Sequence, residues 1–157
     1  MFRVLLLTIT LVGISNAFST IKEIRTEYKN IQTSITQKLY KVKNKKIVDE
    51  PLEISKTIYI NAQGAVKKLL LKGGSGDSFH TKEYFYSNDG KLFFTYQTSS
   101  DVHNGSSEIR RYYNSEMRLI KEIVTPLKKG EHSISSPFPL LPKTIDALEY
   151  FKDDKIK

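Results

Sequence analysis

The chain has no cysteine and no tryptophan, and only three histidines in 157 residues. Without cysteine there are no disulfides, no thiolate nucleophile and no Cys-ligated metal site, so the fold rests on packing alone. His80, His103 and His132 are far apart in sequence. None has the three- or four-residue spacing that sets two imidazoles around a zinc ion, so no metal and no cofactor is expected. A Gly-x-Ser-x-Gly elbow, a phosphate loop and a cluster of acids are also missing. The expectation is therefore a protein that is not an enzyme. Beyond the N-terminus no apolar run is long enough to cross a bilayer.

The N-terminal run itself has the order of a secretory signal peptide. Arg3 supplies a positive n-region, residues 4–13 are apolar, and Ser15 and Ala17 are small residues at the cleavage-reading positions. The expected boundaries are a signal peptide over residues 1–17 and a single α+β domain over 18–157, periplasmic or secreted. The charge is +8, from 25 Lys and Arg against 17 Asp and Glu. Such a balance favours acidic surfaces, either a protein or an anionic envelope component. Export argues against nucleic acid. Asn104-Gly105-Ser106 fits a glycosylation acceptor, inert in a bacterial chain.

Ile21, Ile24, Tyr28, Ile31, Ile35, Leu39 and Val42 recur at spacings of 3, 4, 3, 4, 4 and 3. This predicts one long amphipathic helix over residues 19–43, with Thr20 and Glu23 in capping-box register. Lysines 38, 41, 43, 45 and 46 suit the negative end of its dipole. The stripe should pack on a sheet, although helix-mediated dimerisation stays open. Residues 47–55, with Pro51, read as a connector.

Three units then follow that can be laid over one another: residues 58–70, 84–96 and 111–123. Gly64 lies 26 residues before Gly90, and Gly90 lies 27 before Met117. The middle unit turns at Asn88-Asp89-Gly90, where Gly90 can take the positive φ of a three-residue hairpin loop. Three hairpins in series are expected. Met117, with a side chain at the glycine position, suggests a third turn of another type. Residues 73–77 and 99–106 read as Gly/Ser/Asp loops at one end of the sheet. A short helix over 144–151 should close the core. The fold class is thus α+β: a long N-terminal helix packed on a six-stranded antiparallel β-meander, with a short C-terminal helix.

If Ser87 pairs with Lys91, strict alternation sorts the side chains onto two faces. One face receives Ile58, Ile60, Val66, Leu70, Tyr84, Tyr86, Leu92, Phe94, Tyr96, Ile109, Tyr113, Leu119 and Ile123, and should take the helix. The other receives a row of Tyr59, Phe85, Phe93 and Tyr112, rimmed by charges such as Arg110. An aromatic row of this kind suits a partner, and Tyr59, Phe85, Phe93, Arg110 and Tyr112 are the candidate contact residues. A register error of one residue exchanges the two faces. Asp77, Asp101 and His103 would converge if the two loops meet.

Tyr84-Phe85-Tyr86, running into Ser87-Asn88-Asp89-Gly90-Lys91-Leu92, resembles the hairpin repeats of exported Bacteroidetes-type proteins of unknown function. It is similar, more distantly, to the YwqK-like (MORN-like) antitoxin repeats with their Tyr-x-Asn-Gly-Lys-Leu theme. The likeness spans residues 58–124, and Met117 departs from it. It implies protein–protein binding and supplies no catalytic residues. The expected function is an exported, non-enzymatic binding module that engages another macromolecule through an aromatic sheet face. The alternatives are a small-ligand carrier or hydrolase using the loops around Asp101 and His103, or a basic envelope-surface protein.

Overall fold

A computed structural model describes residues 18, 20–49, 52–102, 105–126 and 137–154. The proposed signal peptide, His103, His132 and Asn104 lie outside them. The helix α1 (Ile21–Thr36) is followed by seven strands, β1 (Lys41–Asp49), β2 (Leu52–Ile60), β3 (Val66–Ser75), β4 (Ser78–Tyr86), β5 (Leu92–Asp101), β6 (Gly105–Tyr113) and β7 (Leu119–Pro126), and by the helix α2 (Thr144–Lys152). The strands form one antiparallel sheet in sequence order. The strand count is seven, one more than the sequence suggests, because residues 41–49 are β1. Residues 47–49 and 52–55 are accordingly paired strand and not a connector, with Asp49 opposite Leu52.

The start of α1 follows its sequence signal. Thr20 Oγ1 accepts from the Glu23 N–H at 3.2 Å, and the Glu23 carboxylate accepts from the Thr20 N–H at 3.0 Å. The end does not. Lys38 turns the chain at φ +58, while the Leu39 N–H reaches the Ser34 carbonyl and the Lys38 N–H that of Ile35. That is a Schellman stop with lysine where glycine is usual. Leu39 and Val42 therefore fall outside the helix and are exposed, and Lys41, Lys43, Lys45 and Lys46 lie on β1 instead of at a helix end.

The three hairpin turns are alike in backbone geometry. Asn61, Ser87 and Asn114 each donate an N–H to the residue four on, and their carbonyls accept from residues 64, 90 and 117. Gly64, Gly90 and Met117 have φ of +83, +79 and +62. Met117 thus adopts the same turn as the two glycines, which corrects the expectation of a different third turn. The Asn114 side chain helps hold it there, accepting from the N–H of Glu116 and of Arg118.

After each turn the second strand contains a bulge. Register shifts separate Tyr59 from Ile60, Phe85 from Tyr86, and Tyr112 from Tyr113, so Lys67, Phe93 and Ile120 have no single partner. Each bulge advances the alternation by one residue. Leu69, Leu71 and Thr95 move to one face, and Leu70, Phe94 and Tyr96 to the other.

The face carrying Ile58, Leu69, Leu71, Tyr84, Tyr86, Leu92 and Tyr113 packs against Phe138, Leu141 and α2. α1 covers the opposite face, over Phe85, Phe93, Phe94 and Tyr112, and not the face the alternation assigned to it. On the α2 face the contacts to the C-terminal segment are unusual. Lys56 Nζ, fully buried, donates to the carbonyls of Tyr150 (2.7 Å) and Asp153 (3.0 Å). Lys82 Nζ donates to those of Phe138 (3.1 Å) and Pro139 (3.0 Å). The hydroxyls of Tyr84 and Tyr86 donate to Pro139 and Leu141. Main-chain bonds from Leu92 N–H to Pro142 and from Thr144 N–H to Gly90 complete the attachment.

Candidate functional site

α1 crosses the hairpin-turn end of its face. Its approach is tied to the β6–β7 turn by the Ser115 N–H on the Phe18 carbonyl, at 3.2 Å. The Phe18 ring lies tilted against Phe93 at 4.7 Å between centres, and Tyr28 meets Phe85 at 5.0 Å and Phe94 at 5.3 Å. One cross-sheet row, Tyr59–Lys68–Phe85–Phe94–Tyr112, consequently lies beneath or beside the helix. The next row, which includes Glu83, Tyr96, Arg110 and Ile123, emerges at its flank. Beyond that the face carries hydroxyls and charges.

This geometry separates the five candidate contact residues. Phe85, Phe93 and Tyr112 are 0%, 1% and 4% exposed, so most of the expected aromatic row is core under α1. Tyr59 is half-buried at the far side, with the Lys68 ammonium 5.6 Å from its ring centre. Burial and the Glu83 carboxylate raise its pKa. Arg110 and the edge of Tyr112 open into a cleft.

That cleft has a volume of about 360 Å³ and lies between α1 and strands β5 and β6. Phe94 and Ile24 floor it, Tyr28, Tyr96 and Tyr112 wall it, and Arg25, Lys29 and Arg110 stand at its mouth. Arg25 lies 5.9 Å from the Tyr112 ring centre and Arg110 5.7 Å from that of Tyr96, both within cation–π range. Glu108 organises the sheet side. It pairs with the Arg110 guanidinium and accepts from the Tyr96 hydroxyl at 2.8 Å. Desolvation, and then that bond to a carboxylate, push the Tyr96 pKa up to about 12, so the phenol stays protonated and donating. Among the described residues no ion pair engages Arg25 or Lys29. The cleft can hold an anionic group on an apolar or planar stem, with bidentate hydrogen bonding available from Arg25, which has no ion-pair partner among the described residues.

Sequence reasoning passed over Arg25, Tyr28, Lys29 and Tyr96 as a site. The pair at 25 and 29 was visible as one-turn spacing beside the apolar stripe. Tyr96 went to the wrong face because the bulge at Phe93 leaves no mark in composition.

The loop end offers a second concavity. A shallow groove of about 820 Å³ runs over Glu53, Lys72, Gly74, Asp77, Phe79, Ser100 and Asp101. Most of the two expected loops is strand, with residues 73–75 in β3, 99–101 in β5 and 105–106 in β6, and the turns that remain meet through the Val102 N–H on the Asp77 carbonyl at 3.0 Å. Nearby, His80 Nδ1 lies 3.0 Å from Ser99 Oγ. Burial lowers the His80 pKa, partly opposed by Asp101. Ser99 is 1% exposed, so its hydroxyl has no approach for a substrate. Among the described residues no three His, Asp or Glu side chains gather as metal ligands, and no helix is long and apolar enough to cross a membrane.

Comparison with family models, with curated proteins and with solved structures gives no match.

Proposed function

We propose that the chain is an exported, non-enzymatic binding module that engages an acidic macromolecular partner at the cleft beside α1. The observation that carries this reading is the set of three cations at one tyrosine-walled mouth, two of them, Arg25 and Lys29, without an ion-pair partner among the described residues. Exposed cations beside apolar rings gain most from a partner that brings a carboxylate, sulfate or phosphate on an apolar stem. The signal-like N-terminus and the net charge of +8 agree with a secreted or periplasmic setting at an acidic envelope surface. The resemblance of the hairpins to binding repeats points the same way.

The test is capture from envelope and culture extract with the chain from residue 18 onward, followed by titration of the captured partner. Reversing Arg25→Glu and Lys29→Glu together should weaken binding by at least about tenfold, or roughly 1.4 kcal/mol, with an unchanged circular dichroism spectrum. Retained affinity would remove the cleft from the interface.

The loop-end groove favours a second reading, a small-ligand carrier. Phe79, 51% exposed, offers an apolar surface there beside Lys72 and the loop hydroxyls. Phe79→Ser would then abolish ligand retention while leaving partner capture intact.

A further inference from the structure

We infer that the acidic partner docks as an extended segment that adds to the outer edge of β7 as an eighth strand and sends a carboxylate toward the Arg25–Lys29–Arg110 cleft. This rests on the binding-module reading above and specifies how the partner presents its charge.

The two sheet edges are unlike. An open edge presents unpaired amides, and proteins protect such edges with lysines or cover them. β1 carries Lys41, Lys43, Lys45 and Lys46, and Lys45 is tied across to the Lys152 carbonyl at 2.6 Å and to Asp154. β7 has one lysine and one glutamate. Its Leu119, Ile120 and Val124 are 52%, 42% and 48% exposed, and no described strand pairs with its outer side. Between the bulge at Ile120 and Pro126, which lacks an N–H, the outer side of β7 has no partner among the described residues and is a short template for strand addition.

That edge is continuous with the cleft. Ile123 pairs with Arg110, and Lys121 with Tyr112. Alternate side chains of a strand laid outside β7 would fall in the rows that contain Arg110 and Tyr112. Such a strand lies two strand spacings, roughly 10 Å, from β6, a gap that an arginine and a glutamate can close from opposite sides.

Charge selects the occupant. Arg25, Lys29, Arg110 and Lys121 line the approach, against Glu108, which Arg110 and Tyr96 already engage, and Glu83, which Lys68 engages. The same charge, +8 over the chain, opposes a second copy and favours an acidic segment rich in β-branched residues.

The test uses the isotope-labelled chain from residue 18 onward and three synthetic peptides. One alternates Glu and Thr, one alternates Lys and Thr, and one is the acidic peptide with proline at every third position. The expected result is saturable binding of the first alone, with slowed amide exchange along β7 and backbone contacts from peptide to β7. Arg110→Gln should weaken it about tenfold while leaving β7 protected at saturation. Shifts confined to Arg25, Lys29 and Arg110, or equal binding of the proline peptide, would overturn strand addition and leave the binding-module reading standing. Binding at neither place would count against both. Protection of β7 without peptide, growing with protein concentration, would replace the acidic segment by a second copy.

Discussion

Met117 and Lys38 sit at positive φ, where a side chain crowds its own backbone and glycine does not. Met117→Gly and Lys38→Gly should each stabilise the fold by about 0.5–1 kcal/mol, after the greater chain entropy of glycine is set against the relieved strain. The check is a higher urea midpoint at constant slope. Buried ionisable groups set the pH response. Desolvation, and then the nearby Arg111, lower the Lys82 pKa to about 8. Between there and its ordinary value the unfolded chain binds the proton and the folded one does not, so this group makes stability rise with pH over that window. Burial raises the phenol pKa values of Tyr84 and Tyr86 far above the usual value of 10.0. Above pH 10 the unfolded phenols ionise first, and stability falls. His80, lowered from 6.5 by burial, makes acidification through that value destabilising. Urea midpoints across pH 6 to 11 should follow this course, and Lys82→Met should flatten the rise above 8.

At the scale of elements, α1 is a cover and its underside is core. Phe93→Lys should destabilise by more than the roughly 3–5 kcal/mol of truncating a buried phenylalanine, because it also buries a charge. A variant that stays folded in urea like the parent would contradict the packing of Phe18 and Tyr28 on that ring row. Thr20→Ala should cost about 1 kcal/mol by removing the N-cap acceptor. The capping box and the hairpin turns at residues 64 and 90 were legible in the sequence because side-chain chemistry specifies them locally. Pairing of Tyr86 with Leu92 was legible for the same reason. The end of α1 was not, since a lysine occupies the stop and Leu39 and Val42 continue the helical spacing by coincidence. The faces were not either. A bulge is a backbone event, and Phe93 and Phe94 look like ordinary alternation until the ladder shows both packed under α1.

For the whole molecule, the consequence of a meander is that each strand pairs only with its sequence neighbours among the described strands. β4 and β5 lie near the centre, buried on both faces at Tyr84, Phe85, Leu92 and Phe93, while β1 and β7 each have one neighbour among the described strands. Native-state amide exchange should therefore be slowest in β4 and β5 and fastest in the two edge strands. Equal protection of β7 and β4 in the free protein would mean that something covers the edge. The candidate cleft belongs to this scale too. Arg25 and Arg110 are 85 positions apart, and only the crossing of α1 over the sheet unites them, which is why no local motif announced them.

The donors on the α2 face grip carbonyls, and every residue has a carbonyl. Lys56, Lys82, Tyr84 and Tyr86 hold the chain from Phe138 to Asp153 by its main chain. Substitution at Pro139, Tyr150 or Asp153 leaves those acceptors in place. Over evolutionary time the exposed positions of such a tail can drift in spelling while keeping its path, with the four donors and the buried Phe138, Leu141 and Ala147 as the fixed points. Among divergent homologues the exposed positions of the C-terminal sequence would diverge long before its trace across the sheet changed.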